Sequence, residues 1–194
     1  MTGDRQAGRG LAWLYLVGGL VGLAAAVALT LEKIAKLTDP SYVPTCSLNP
    51  VISCGSVMDS PQASAFGFPN PLIGIAGFAV VTTVGSAMLA GFTPPRWFRL
   101  GMQAGATFGV VFVHWLIVAS LYDIRALCPY CMVVWVVTIP LFSYTTLHNL
   151  ERGHFTAGRP VALGLVRFHS LVVVLWFALI AALILQEFWS FWTS

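Results

Sequence analysis

Cys46 and Cys54 stand eight positions apart, and Cys128 and Cys131 stand three apart within Leu127-Cys128-Pro129-Tyr130-Cys131. Two such pairs permit three kinds of chemistry. They could hold zinc, which takes thiolates in tetrahedral sets, close structural disulfides, or pass an electron pair between dithiol and disulfide forms. The C-x-x-C pair has the spacing of half a zinc site, whereas Cys46 and Cys54 are wider apart than the usual two to four intervening residues. A structural disulfide suits Cys46 with Cys54 better, because a C-x-x-C bridge closes a very small loop and constrains the unfolded chain little. A relay would use all four.

The elements that must position these thiols are membrane helices. The chain has 194 residues, 58% apolar and only 9% charged, against about 25% charged in an ordinary soluble domain. Crossing about 30 Å of hydrocarbon takes roughly 20 helical residues at about 1.5 Å rise each. Five runs qualify, near residues 11–31, 71–92, 100–121, 128–148 and 165–187. The expected fold is an all-α membrane protein, a four-helix transmembrane bundle within residues 1–150 plus a fifth transmembrane helix. Residues 32–70 form a long outer loop, and residues 151–194 hold a cytoplasmic loop and the fifth span. The first run is too long for the apolar core of a signal peptide.

Short cytoplasmic segments carry the excess of Lys and Arg. With the N-terminus inside, Arg5, Arg9, Arg96, Arg99, Arg152, Arg159 and Arg167 are cytoplasmic and only Lys33, Lys36 and Arg125 are outside. This bias predicts an N-in, C-out, multi-pass protein of the cell membrane, in contact with lipid. All four cysteines then lie on the extracytoplasmic side, where disulfides form and persist. The net charge of +3 follows from topology, and no basic patch with interleaved aromatics points to nucleic acid.

Pro129 is suited to the first position of a helix, which makes Cys128 its cap, with the sulfur at the positive end of the helix dipole. Cys131 lies one turn deeper on the same face. One exposed sulfur and one facing the bundle are expected. In the loop, Val57, Met58, Phe66 and Phe68 could lie on the membrane surface as a lid. Gly18 with Gly22, and Gly101, Gly105 and Gly109, are spaced for close helix packing. His114, inside a span, is read as a neutral hydrogen-bonding partner of another helix in preference to a proton carrier. His148 and His169 are expected to be satisfied by interfacial solvent, and His154 shows no chemistry. Trp189, Phe191 and Trp192 read as an interfacial aromatic belt.

Taken together, the residues resemble the vitamin K epoxide reductase family in its bacterial form. The pattern is Cys46, then Cys54-x-x-Val57-x-x-Ser60, then Phe66-Gly67, Asn70 before the second span, and Cys128-x-x-Cys131 opening the fourth. The resemblance covers roughly Leu11 to His148. It implies a membrane thiol:quinone oxidoreductase that reoxidises a thioredoxin-like (DsbA-like) extracytoplasmic protein and reduces a membrane quinone, here guessed to be of the menaquinone or vitamin K type. It implies Cys46 and Cys54 as the shuttle pair, Cys54 as the thiol that attacks Cys128, and Cys131 as the sulfur beside the quinone. Asn70, Ser60, Phe66, Tyr130 and Trp135 fall at positions near the quinone. Asn70 is also a plausible helix cap ahead of Pro71. Trp135 replaces a tyrosine of the animal members, which argues against vitamin K epoxide reduction proper. Many bacterial relatives continue into a fused thioredoxin-like domain; this sequence stops at Ser194, so a separate partner is expected. No metal and no flavin are expected. The competing readings are a non-enzymatic membrane scaffold or transporter with two structural disulfides, a vitamin K epoxide/quinone reductase proper and, third, a metal-binding protein.

Overall fold

The five apolar runs fold as five helices long and apolar enough to cross a membrane, in a computed structural model that describes residues 2–152 and 168–193. In chain order the elements are α1 (Thr2–Thr38), α2 (Cys54–Asp59), a 3-10 turn (Pro61–Ser64), α3 (Pro71–Leu89) and α4 (Arg96–Val118). A π-helical turn (Ala119–Ile124), α5 (Pro129–Glu151), α6 (His169–Glu187) and α7 (Trp189–Thr193) follow. Among the described residues no strand forms, only an isolated bridge between Ile52 and Leu127. The protein is an all-α membrane protein. His154, Arg159, Arg167 and the expected start of the fifth span at 165–167 lie outside the described residues.

α1 runs past its apolar stretch to Thr38 because the loop supplies partners for its polar end. Lys33 Nζ donates to the Met58 carbonyl at 2.7 Å, and Lys36 pairs with Asp59. The Glu32 carboxylate accepts from the Tyr42 hydroxyl at 3.0 Å. The helix end and the loop therefore fold as one unit.

α1 lies along α3 and α5, and α4 lies along α5. Small residues allow the closest approach. A Cβ on Gly85 would stand 2.5 Å from the Leu16 backbone nitrogen, and one on Gly22 would stand 2.5 Å from the Phe78 ring. Gly18 faces Val137 at 3.4 Å, so Gly18 and Gly22 do serve close packing. The glycines of α4 do not: Gly101 and Gly105 have nothing within 4 Å, and Gly109 meets only the Thr138 methyl, at 3.5 Å. α3 and α4 make almost no direct contact, and the glycine stripe faces the space between them.

α6 is held to the bundle by a half-buried polar link. Trp176 Nε1 donates to His114 Nε2 at 2.8 Å, and the other ring nitrogen of His114 lies 2.7 Å from the Val110 carbonyl. Both contacts are satisfied by a neutral imidazole carrying its hydrogen on Nδ1, which is the helix-to-helix role expected of this residue. His148 departs from expectation. It is buried and accepts from Arg152 Nε at 3.1 Å, so a protein partner serves it in place of interfacial solvent.

The packing contrast can be measured by reversible unfolding in mixed micelles. Gly85→Ala should cost about 1–3 kcal/mol, because the added methyl meets backbone that cannot turn aside. Gly101→Ala should be neutral or stabilising by up to about 1 kcal/mol, since alanine restricts the unfolded chain and meets no clash.

Candidate redox site

The loop between α1 and α3 is folded by its own polar side chains. Asn49 Oδ1 accepts from the backbone N–H groups of Val51 at 2.9 Å and Ile52 at 2.7 Å, turning the chain after Cys46. Ser53 caps α2, accepting from the Ser56 N–H at 3.2 Å. The stretch before Cys54 is then tied to the stretch before Cys128. Ser53 N–H donates to the Leu127 carbonyl at 2.9 Å, and Leu127 N–H donates to the Val51 carbonyl at 2.7 Å. The π-turn delivers Leu127 to this point and ends at Arg125, which takes the left-handed conformation with φ 55°.

Tying those two neighbours brings the cysteines together. Cys46 and Cys54 form a disulfide, and Cys54 Sγ lies 3.1 Å from Cys128 Sγ. Cys128 and Cys131 are unbridged. The arrangement corrects one expectation. Cys128 is not an exposed sulfur; its relative exposure is 0%, as is that of Cys54, because the loop closes over it with Met58 and Leu29 packed alongside. Cys131 is the more accessible of the two, half-buried and opening onto a cavity.

Cys128 is the N-cap of α5 with Pro129 at the first helical position. The Cys131 thiol hydrogen-bonded to the Cys128 sulfur is the main influence holding the Cys128 pKa below the ordinary thiol value; burial opposes this, and the amides of Cys131 and Tyr130 add a weaker downward pull. A lowered pKa means more thiolate at neutral pH.

The cavity has a volume of about 550 Å³ and is lined by Cys131, Asn70, Ser60 and Trp135 together with mostly apolar side chains. Gly74 and Gly77 of α3 and Gly101, Gly105 and Gly109 of α4 form parts of its wall. The α4 glycine stripe, expected to pack helices, instead leaves room. Asn70 does not cap α3 with its side chain. Its Nδ2 donates to the Gln62 carbonyl at 2.7 Å, and its Oδ1 accepts from the Ala65 N–H at 3.1 Å, so the amide braces the 3-10 turn at the cavity mouth. Ser60 Oγ donates to the Val57 carbonyl at 2.7 Å.

Phe66 and Tyr130 are not in the cavity wall. Phe66 packs on Phe112, which is in the wall, with centroids 5.6 Å apart, while Tyr130 packs against the buried cysteines. The expected lid divides accordingly: Val57 and Met58 turn inward to the cysteine cluster, whereas Phe66 and Phe68 stay exposed. Sequence reasoning passed over Lys33, Gln62 and Phe112, all in the wall. The placement of Lys33 just past the apolar run, and the Phe108/Phe112 pair one helical turn apart, were the available signals.

The sulfurs of Cys46, Cys54 and Cys128 all lie within 4.8 Å of one another. With Cys46 bonded to Cys54, the group has one thiol to offer, far from the four donors of a structural zinc site. The arrangement instead suits exchange between a disulfide and an adjacent thiol.

A family model described as the Vitamin K epoxide reductase family matches residues 13–146, a segment containing all four cysteines and Asn70. No curated protein matches the chain.

The lowered Cys128 pKa sets the sign of a titration. With the Cys46–Cys54 disulfide intact, the ultraviolet thiolate absorbance lost in Cys128→Ser should persist in the unmodified protein below the ordinary thiol range of about 8.5. Cys131→Ala removes the principal cause and should move the transition to higher pH.

Proposed function

Because the chain belongs to the vitamin K epoxide reductase family, a family of membrane oxidoreductases with thiol and quinone-linked disulfide chemistry, we propose that it moves electron pairs from an extracytoplasmic thioredoxin-like dithiol to a membrane quinone. One observation carries this reading: Cys54 Sγ stands 3.1 Å from Cys128 Sγ, while Cys131 opens onto an apolar cavity. That separation is within the roughly 3–3.5 Å of a near-attack geometry.

The steps balance as thiol–disulfide exchange, in which a thiolate attacks one sulfur and displaces the other. A partner thiolate attacks Cys46, releasing Cys54 as thiolate, and the second partner thiol then resolves the mixed disulfide and frees Cys46. Cys54 attacks Cys128 of an oxidised Cys128–Cys131 pair and releases Cys131. Cys46 then attacks Cys54, restoring Cys46–Cys54 and leaving Cys128 and Cys131 as dithiol, which corresponds to the cysteine state described above. Two electrons and two protons from that dithiol convert quinone to quinol and re-form the Cys128–Cys131 disulfide. The sum is partner dithiol plus quinone giving partner disulfide plus quinol. Every 30 mV of potential difference contributes about 1.4 kcal/mol to a two-electron step, so modest differences give direction.

The cavity suits a naphthoquinone-type acceptor, with its ring beside Cys131 and Asn70. An amide nitrogen carries two hydrogens; one holds the Gln62 carbonyl, and the other is the donor to a quinone carbonyl. The gap between α3 and α4, walled by Gly77 and Gly105, gives an apolar tail a path to lipid. The scaffold reading leaves Cys128 and Cys131, two unbridged thiols beside a disulfide, without a purpose. Trp135 supplies an indole in the cavity wall, and the phenol that does line the cavity, Tyr15, is hydrogen-bonded to Thr145.

Cys131→Ser should reduce quinol formation to background and accumulate a Cys54–Cys128 mixed disulfide, identified by peptide mapping and reversed by reductant. Turnover surviving the substitution, or a Cys46–Cys128 linkage in its place, would overturn the assignment. Asn70→Ala should raise the KM for quinone roughly tenfold, the loss of one hydrogen bond to a buried acceptor.

A further inference from the structure

At the end of the bundle opposite the cysteines lies a second cavity of about 520 Å³, and its wall brings together Arg9 of α1, Arg99 of α4 and Arg152 at the end of α5. The redox relay uses none of these arginines, and the inference stands apart from that reading.

Two of the guanidiniums are oriented by the fold. Arg99 Nε donates to the Pro94 carbonyl at 2.8 Å, and Arg152 Nε donates to His148 Nε2 at 3.1 Å. Behind them is a buried polar floor: Asn149, 1% exposed, donates to Gln103 Oε1 at 3.1 Å, and Gln103 Nε2 reaches Thr146 Oγ1 at 2.9 Å. Much of the remaining wall is apolar, including Leu11, Val84, Met88, Leu89 and Phe98. Tyr15, Met102 and Thr145 line both cavities, and the hydrogen bond between Tyr15 and Thr145, 2.7 Å long, lies where the two meet.

Planar guanidinium forks match the oxygens of a phosphate group, and the charges of several arginines in one concavity add. The adjoining apolar wall calls for a ligand with a hydrocarbon part. The geometry points to a binding site for an anionic phospholipid, its phosphate on Arg9, Arg99 and Arg152 and its acyl chain along Leu11, Val84 and Met88. A net negative headgroup is selected over a zwitterionic one because the choline cation would meet the same arginines. Free phosphate shares the headgroup chemistry but uses none of the apolar wall.

The test is lipid retention by the full-length protein, taken from vesicles of equal phosphatidylglycerol and phosphatidylcholine and read by native mass spectrometry. The wild-type chain should retain phosphatidylglycerol preferentially, and an Arg99→Gln/Arg152→Gln variant should retain at least about tenfold less, one charge-assisted hydrogen bond or more in free energy. Equal retention by wild type and variant overturns the site. Displacement of the lipid by millimolar inorganic phosphate overturns the lipid assignment in favour of a soluble anion. Should the double variant not fold, Arg9→Gln, whose side chain is exposed, decides by the same measurement: reduced phosphatidylglycerol retention supports the site, and unchanged retention overturns it.

Discussion

Ser53 and Leu127 are joined by a backbone hydrogen bond of 2.9 Å, and Leu127 in turn bonds back to Val51 at 2.7 Å. Ser53 and Leu127 immediately precede Cys54 and Cys128, so the bridge holds the backbones of the two cysteines side by side. A long loop pays conformational entropy for order, and here the cost is met locally by the Asn49 turn, the Ser53 cap and the disulfide. Backbone groups left unpaired at a buried site would be expensive; pairing them across the loop and the start of α5 removes that cost and sets the reaction geometry in one stroke.

The membrane constrains the same region from below. Helices satisfy their own backbone within hydrocarbon, but the loop cannot, so it must sit at the end of the bundle and be anchored there by polar groups. Glu32, Lys33 and Lys36 do this from the continuation of α1. Tight α1–α3 packing at Gly22 and Gly85 draws α3 toward α1, and α5 holds α4 on the other side. The open seam between α3 and α4 is the consequence, and the cavity beside Cys131 occupies it. Close packing in one half of the bundle thus goes with a void in the other.

The sequence is most informative where one physical rule acts alone. Length and apolarity mark five spans, and the two cysteine pairs stand out by residue type, because hydrocarbon thickness and thiol chemistry leave few alternatives. Legibility fails where partners distant in sequence decide. Gly18 and Gly101 look alike as glycines on apolar helices, yet one meets Val137 and the other meets nothing, a difference set by which helices neighbour each other. The exposure of Cys128 was misjudged for the same reason: helix periodicity places it at an end, but only the bridge to Val51 and Ser53 reveals that a loop covers it. The π-turn and the left-handed Arg125 have no sequence signature, since neither glycine nor asparagine marks the reversal.

Burial gives the two cysteines of α5 different access. Cys128 is fully enclosed, with the Cys54 sulfur of the loop disulfide in contact with it. Cys131, one turn along the helix, has a face on the cavity. The thiol hydrogen bond between the two favours thiolate on Cys128, and in the proposed relay this would make Cys128 the better leaving group when Cys46 resolves a bond between Cys54 and Cys128, because lower-pKa thiols depart faster. The loop contact and the burial support the division of labour in the proposed relay: exchange at Cys128, transfer to an apolar acceptor at Cys131.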